Sequence, residues 1–297
     1  MIYTLTLNPA VDYYISVDKL NLGAVNRTKS EQIRFGGKGI NVSLVLNEFG
    51  IKSTCLGFVG GFTGDALENH LKQNDIDCDF VKIDGNTRIN VKLNDTDINS
   101  AGPDISDENL AKLFEKIKNL KSGDFLILSG SVPKNLPQDI YQSILEFLGD
   151  KGINFVVDAE GNLLLDTLCY NPFLIKPNHH ELGKIFGVEI SNFDTAITYA
   201  KQLQNKGAQN VMVSLGEQGA VLVDQNGNTH TQAAPKGEVI SAVGAGDSAI
   251  AAFLVEYLNG KDYADCLKLA VATGSATAFS DGLANEDAIT QLYNGRN

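Results

Sequence analysis

The sequence predicts an α/β fold, a mostly parallel central sheet with helices on both faces and a small β-sheet set beside it. Two observations predict it. Short apolar runs at 2–7, 54–59, 125–128, 155–157, 173–175 and 211–214 are mostly separated by stretches with helical periodicity. Glycine-rich turns at 36–42 and 243–248 each lead straight into an apolar helix.

The run 2–7 ends at Asn8 and Pro9, as a buried strand running out into a loop does. Ser106 and Asp107 precede Leu110, Leu113, Phe114 and Ile117, the spacing of one helix face behind an N-cap. Gly50, Gly149 and Gly187 stand where helix ends call for a left-handed residue. Two regions break the rhythm: 13–17 with 31–35, and 88–101 around the turn-forming Asn94, Asp95 and Thr96. They predict short strands outside the main sheet. Such an excursion, over discontinuous segments at about 12–35 and 87–102, suits a lid above a pocket, and the competing reading is a peripheral hairpin without a role. With no repeat, low-complexity tract or proline-rich linker, 1–297 reads as one domain carrying that lid.

The chain has 297 residues, 43% of them hydrophobic, and a formal charge of -12. That length supports a full core. The charge disfavours nucleic acid and anionic lipid as partners, and no run of Lys or Arg offsets it. No apolar run reaches the roughly 18 residues of a membrane span, and the N-terminal segment lacks a basic leader and a small-residue cleavage site, so a cytoplasmic location is expected. Cys55, Cys78, Cys169 and Cys266 are scattered, without CxxC or zinc-finger spacing, and read as reduced, mostly buried thiols.

The sharpest chemical signal is VGAGDS at 243–248. Glycines opening a helix leave backbone amides facing an anion, and the helix dipole adds partial positive charge there. Asp247 in the same turn would repel a resting phosphate, which makes sense if it accepts a proton from an attacking hydroxyl while Gly244, Ala245 and Gly246 cradle the phosphoryl group. The helix terminus should also lower its pKa, so late proton acceptance is expected. The competing reading is that Asp247 only caps the helix. The stretch also fits the loose dinucleotide pattern GxGxxA, but no second strand follows it.

GGKGINV at 36–42 lacks P-loop spacing. Gly37 and Gly39 let backbone approach a ligand, Lys38 supplies a charge for a phosphate, and Asn41 can bond sugar hydroxyls. A tight packing turn with a solvated Lys38 is the alternative. Asp12 follows the first strand, where its carboxylate could grip vicinal hydroxyls. In KPNHHE at 176–181, Asn178 and Glu181 share a helix face and can hold the water shell of Mg²⁺, while the adjacent His179 and His180 diverge and make a two-histidine metal site unfavourable. SLGEQGA at 214–220 is by itself a hairpin turn. His70, His180 and His230 read as ordinary polar or surface residues.

Taken together and in this order, GGKGINV, KPNHHEL, SLGEQGA and VGAGDS resemble the ribokinase-like PfkB family of carbohydrate kinases over essentially the whole chain. The resemblance implies a ribokinase-like fold, ATP and Mg²⁺ as cofactors, and Asp247 as the base. It gives Asp12, Gly37, Lys38, Gly39, Asn41, Arg88 and Asn90 to the sugar phosphate, with Arg27 as a second cation. It gives Lys176, Ser214, Leu215, Gly216, Glu217, Gly219 and Gly246 to ATP, and Asn178 and Glu181 to Mg²⁺ through water. TLNPAVD at 6–12 with TRINVKL at 87–93 looks most like the branch that phosphorylates fructose 1-phosphate at its 6-hydroxyl. The branch acting on tagatose 6-phosphate is the near alternative, and a noncatalytic sugar-phosphate sensor is the alternative from another class. The resemblance also implies a homodimer paired through the lids, although 92–101 is shorter than the family's usual lid hairpin. Ser241 and Ala242 stand where many relatives carry Asp-Thr.

Overall fold

A computed structural model describes residues 1–94 and 96–295; Asp95, part of the expected turn, lies outside the described residues. The chain begins β1 (Ile2–Thr6), β2 (Ala10–Ser16), β3 (Ser30–Gly36), α1 (Lys38–Glu48), β4 (Thr54–Gly60) and α2 (Gly61–Gln73). It continues through β5 (Asp77–Cys78), β6 (Val81–Ile83), β7 (Arg88–Leu93), β8 (Thr96–Ile98), α3 (Asp107–Ile117), β9 (Phe125–Ser129), α4 (Ile140–Leu148) and β10 (Asn154–Asp158). Then come α5 (Asn162–Leu165), β11 (Leu174–Ile175), α6 (His179–Phe186), α7 (Phe193–Asn205), β12 (Asn210–Ser214), β13 (Gly219–Val223) and β14 (Thr229–Ala233). Three helices, α8 (Ala245–Leu258), α9 (Tyr263–Ala278) and α10 (Glu286–Tyr293), complete it.

Among the described residues the central sheet runs β14-β13-β12-β11-β10-β9-β1-β4-β5, with β6 also paired to β4. It is parallel from β12 to β5, and only β13 and β14 are antiparallel. Alternating strand residues feed two cores because successive side chains point to opposite faces. Leu5, Leu126, Leu128, Val157, Val211 and Val213 pack with α3, α4 and α7 on one face. Ile2, Ile127, Val156, Met212 and Leu222 pack with α1, α8 and α9 on the other. This double burial is why these strands read as nearly continuous apolar runs. Every run expected as a strand is one. The unexpected β5, β6 and β14 are short or polar: pairing rather than apolar content holds β5 and β14, the latter being THTQA, whereas the three-residue β6 buries Val81 and Ile83 but is too short to stand out.

Helix boundaries follow the local signals. The Ser106 side chain accepts from the Asn109 amide to cap α3, and Gly187 ends α6 with φ 67 in the left-handed region. The second sheet, β3-β2-β7-β8, stands apart from the first and uses the segments expected outside the main core. Its β2–β7 pair is parallel and the outer pairs are antiparallel. One expectation fails in part: Cys55 and Cys266 are buried, but Cys169 is exposed and Cys78 is half-buried. Among the described residues, no helix is long and apolar enough to cross a membrane.

Candidate active site

The carboxyl ends of β1, β9, β10, β11 and β12 open into a cleft of about 1690 Å³, lined by Thr6, Gly130, Asp158, Lys176 and Ser214 among others. Gly244, Ala245, Gly246 and Asp247 form its wall at the start of α8. Gly244 is the N-cap with φ 84, a left-handed conformation that suits glycine, and no side chain caps the helix. Ala245 N–H reaches the Ala242 carbonyl at 3.4 Å, and the remaining first-turn amides have no partner one turn back within the helix.

Asp247 lies inside the first turn, and its Oδ2 accepts a hydrogen bond from Asn41 Nδ2 at 2.8 Å, so it is not the helix cap. Its electrostatics reverse the sequence expectation. Burial, followed by the charge of Asp158, pushes the carboxyl up to about 7 against the lowering effects of Asn41, Lys38 and Lys176. A helix terminus favours the carboxylate, but removal from water dominates here. The group is a stronger base than its place in the sequence suggested, so late proton acceptance is not required by weak basicity.

Asp158, absent from the sequence reading, sits at the end of β10 and only 2% of its side chain is exposed. It faces Lys38 Nζ at 3.0 Å and Lys176 Nζ at 3.6 Å. Burial alone would raise its pKa, but the two ammonium groups together outweigh that and hold it below the usual carboxylate range. Burial lowers the Lys38 ammonium, yet Asp158 and Asp247 outweigh burial and leave it above its ordinary value. Lys38, expected as a solvated or sugar-phosphate cation, lines the cleft with 38% of its side chain exposed while paired to Asp158. Lys176 is buried against α8: a Cβ on residue 246 would lie 2.7 Å from its Nζ. The available signal for Asp158 was an apolar strand closing on an acid, since strand carboxyl ends in α/β sheets face the ligand crevice.

Where the second sheet borders the cleft, β2 and β7 run in register with Asp12 opposite Asn90 and Ala10 opposite Arg88. Asn90 Nδ2 donates to Asp12 Oδ1 at 2.7 Å, and Asn90 Oδ1 accepts from the Ser100 amide at 3.1 Å. Arg88 Nε and Nη1 donate to the carbonyls of Asn8 and Ser100, which fixes its guanidinium at the rim. Asp12, Gly37, Lys38, Asn41, Arg88 and Asn90 all line the cleft. Two residues given to the sugar do not. Gly39 is a packing residue whose Cβ would lie 2.6 Å from Thr6 Oγ1, and Arg27 is exposed on the loop between β2 and β3.

On the opposite side, the two remaining motifs meet through the Ser214 amide, which donates to the Pro177 carbonyl at 3.3 Å. Ser214, Gly216, Glu217 and Gly219 line the cleft, whereas Leu215 is buried away from it. Asn178 caps α6 by accepting from the Glu181 amide at 2.9 Å, and Glu181 Oε2 accepts from the Asn178 amide at 2.8 Å. This capping box leaves Glu181 Oε1 free of it. Among the described residues, no group of three or more His, Cys, Asp and Glu could hold a metal. The amide oxygen of Asn178 and the carboxylate of Glu181 are the donor type that Mg²⁺ takes alongside water and phosphate oxygens. His180, read as an ordinary surface residue, lines the cleft with its ring 3.9 Å from that of His179.

A buried carboxyl beside an uncapped helix start, one buried and one half-exposed ammonium group, and a crevice at the strand ends define a ribokinase-like carbohydrate kinase. A sequence model of the pfkB family carbohydrate kinases matches residues 5–290, and the chain belongs to that family. It is 42% identical over 295 residues to a 1-phosphofructokinase of Bacillus subtilis (strain 168), covering 98% of this chain and 97% of that protein. It is 39% identical to a D-tagatose-1-phosphate kinase of Bacillus licheniformis, again covering 98% and 97% of the two chains. The crystal structure of phosphofructokinase-2 from Escherichia coli in complex with substrates and products superposes with a TM-score of 0.93 at 28% identity, over 99% of this chain and 98% of that one. The protein is an ATP-dependent sugar-phosphate kinase.

Proposed function

We propose that this kinase transfers the γ-phosphoryl group of ATP to the 6-hydroxyl of D-fructose 1-phosphate, giving fructose 1,6-bisphosphate and ADP. The observation that carries this reading is a buried carboxylate, Asp247, poised near neutrality beside an open helix start. Asp247 accepts the proton of the attacking hydroxyl. The amides of residues 244–246 and the Lys176 ammonium stabilise the charge on the phosphoryl group in flight. Asp12, held by Asn90, takes sugar hydroxyls; Gly37 and Asn41 contact the sugar, and Arg88 with Lys38 offsets anionic charge. Ser214, Gly216, Glu217 and Gly219 approach the nucleotide. Mg²⁺, held through water by Asn178 and Glu181, would neutralise charge on the nucleotide's phosphates.

The second sheet acts as the lid. Its face away from Asp12 carries Ile33, Ile89 and Ile98, exposed by 56%, 39% and 58%, and two copies pair through that face. Monomer at all working concentrations in light scattering would remove this pairing.

D-tagatose 1-phosphate is the second reading, because a relative bearing that substrate's name covers 98% of the chain. It differs from fructose 1-phosphate only in configuration at carbon 4. The tagatose alternative drawn from the sequence placed the phosphate on carbon 6, whereas this relative's name places it on carbon 1. An ADP-release assay across the 1- and 6-phosphates of fructose and tagatose tests the assignment, with fructose 1-phosphate expected to give the highest kcat/KM. Preference for either tagatose phosphate overturns the substrate, and no turnover with any of them favours the sensor. Asp247→Asn should reduce kcat by about 10² or more while sugar binding survives. Turnover near wild type would remove Asp247 as base.

A further inference from the structure

We infer that Asp158 is a positioning residue for phosphoryl transfer: it tethers Lys38 and Lys176, from two different elements, so that one ammonium faces the start of α8 and the other the base. This inference rests on the kinase reading above. Lys38 begins α1 and Lys176 follows β11, while Asp158 ends β10 between them. Each carboxylate oxygen serves one lysine, Oδ2 meeting Lys38 at 3.0 Å and Oδ1 meeting Lys176 at 3.6 Å.

Burial makes the tether consequential. Asp158 and Lys176 are 2% and 6% exposed, so neither charge can be satisfied by bulk water. Without the carboxylate, two ammonium groups would repel each other across a narrow floor, and the longer side chains would turn toward solvent. The position of Lys176 is constrained from the other side as well. Its Nζ occupies the space above Gly246 that any larger residue would fill, within the cradle where transferred charge accumulates. A cation fixed there before the reaction costs no reorganisation during it, which is the condition under which electrostatic stabilisation is largest. The carboxylate also sets the charge felt by Asp247, whose pKa it raises.

The arrangement separates a positioning carboxylate from a metal-holding one. Both Asp158 oxygens are directed at ammonium groups, whereas the Asn178–Glu181 pair is joined by its own capping box.

The test uses Asp158→Asn, Lys176→Met and the double variant, assayed on whichever ketose phosphate the wild type turns over, with Mg²⁺ varied. The substrate panel on wild type judges the acceptor, and the variant ratios judge the tether, so either can fail visibly alone. Positioning predicts that Asp158→Asn loses about 10²-fold in kcat with KM for ATP changed by less than about threefold. It also predicts that the acid limb of kcat/KM moves to lower pH, since removing a negative charge eases ionisation of Asp247. Asp158→Asn added to Lys176→Met should cost well under about 10²-fold, because the Lys176 share of the tether is already gone and only the Lys38 share remains. That comparison stands even if Asp158→Asn alone does not fold, since the double variant keeps the cluster charge balanced. Losses that multiply in the double variant, an unmoved acid limb, or kcat restored by excess Mg²⁺ would each overturn the inference.

Discussion

The pH dependence of turnover should be set by Asp247, and Asn41 offers a way to move it. Asn41 donates its side-chain N–H to Asp247 Oδ2 at 2.8 Å, a bond that favours the ionised carboxylate. A hydrogen bond to a charged acceptor contributes about 1.5–3 kcal/mol, and about 1.4 kcal/mol corresponds to one pKa unit. Replacing Asn41 by Leu, which fills similar space without a donor, should therefore raise the Asp247 pKa by about one to two units. Wild-type kcat/KM should fall below pH of about 7, where the base becomes protonated, and the Asn41→Leu limb should lie about one to two units higher. The assay is a coupled measurement of ADP release across pH at fixed ionic strength. Ionisation of the substrate's own phosphate contributes equally to both enzymes, so the difference between the profiles reports the protein. An Asn41→Leu limb that stays in place or shifts downward would refute the assignment of this carboxylate as the base under Asn41 control.

Three further outcomes follow from the same geometry. Gly246→Ala puts a Cβ 2.7 Å from Lys176 Nζ and 3.2 Å from its Cε, so kcat should drop at least about tenfold while thermal stability holds, alanine being the better helix residue; unchanged kcat would show that Lys176 is not needed where it lies. Gly37→Ala meets Thr6 Cγ2 at 2.7 Å on a backbone with φ 132, and should lower stability by about 1–3 kcal/mol in urea unfolding, with an unaltered midpoint counting against that strain. Because the folded-state pKa of Asp247 lies above its unfolded value, its stabilising protonation is complete below the unfolded pKa and lost as pH rises through about 7. Asp247→Asn should therefore raise Tm at pH 8 relative to wild type, with an advantage that is smaller at pH 5 and vanishes only below the unfolded pKa, and equal Tm values at pH 8 and pH 5 would contradict the raised pKa.

Much of the fold was legible because its signals are local. Buried parallel strands must be apolar on both faces, so β1, β4, β9, β10 and β12 announce themselves in windows of five to seven residues. Glycine turns with apolar sequel marked α1 and α8, and the break in rhythm at residues 13–17 and 31–35 marked strands that belong elsewhere. Edge strands β5 and β14 escaped notice because pairing, not composition, holds them. The site was legible in the same measure. Asp247, Asn41, Arg88, Asn90 and Asp12 converge on one cleft, whereas Leu215, Gly39 and Arg27, carried along by their motifs, lie outside its lining.

The sequence alone determined the order of the buried apolar strands, the glycine-opened helix start, and the residue types able to bind phosphate and accept a proton. These depend on backbone conformation and side-chain chemistry within a few neighbouring residues. Tertiary structure alone decided that Lys38 meets Asp158 across 120 residues of chain and that Asn41 meets Asp247 across 206. It also reversed the expected basicity of Asp247, because a pKa is fixed by burial and by charges brought close in space, and neither quantity is a property of the local sequence.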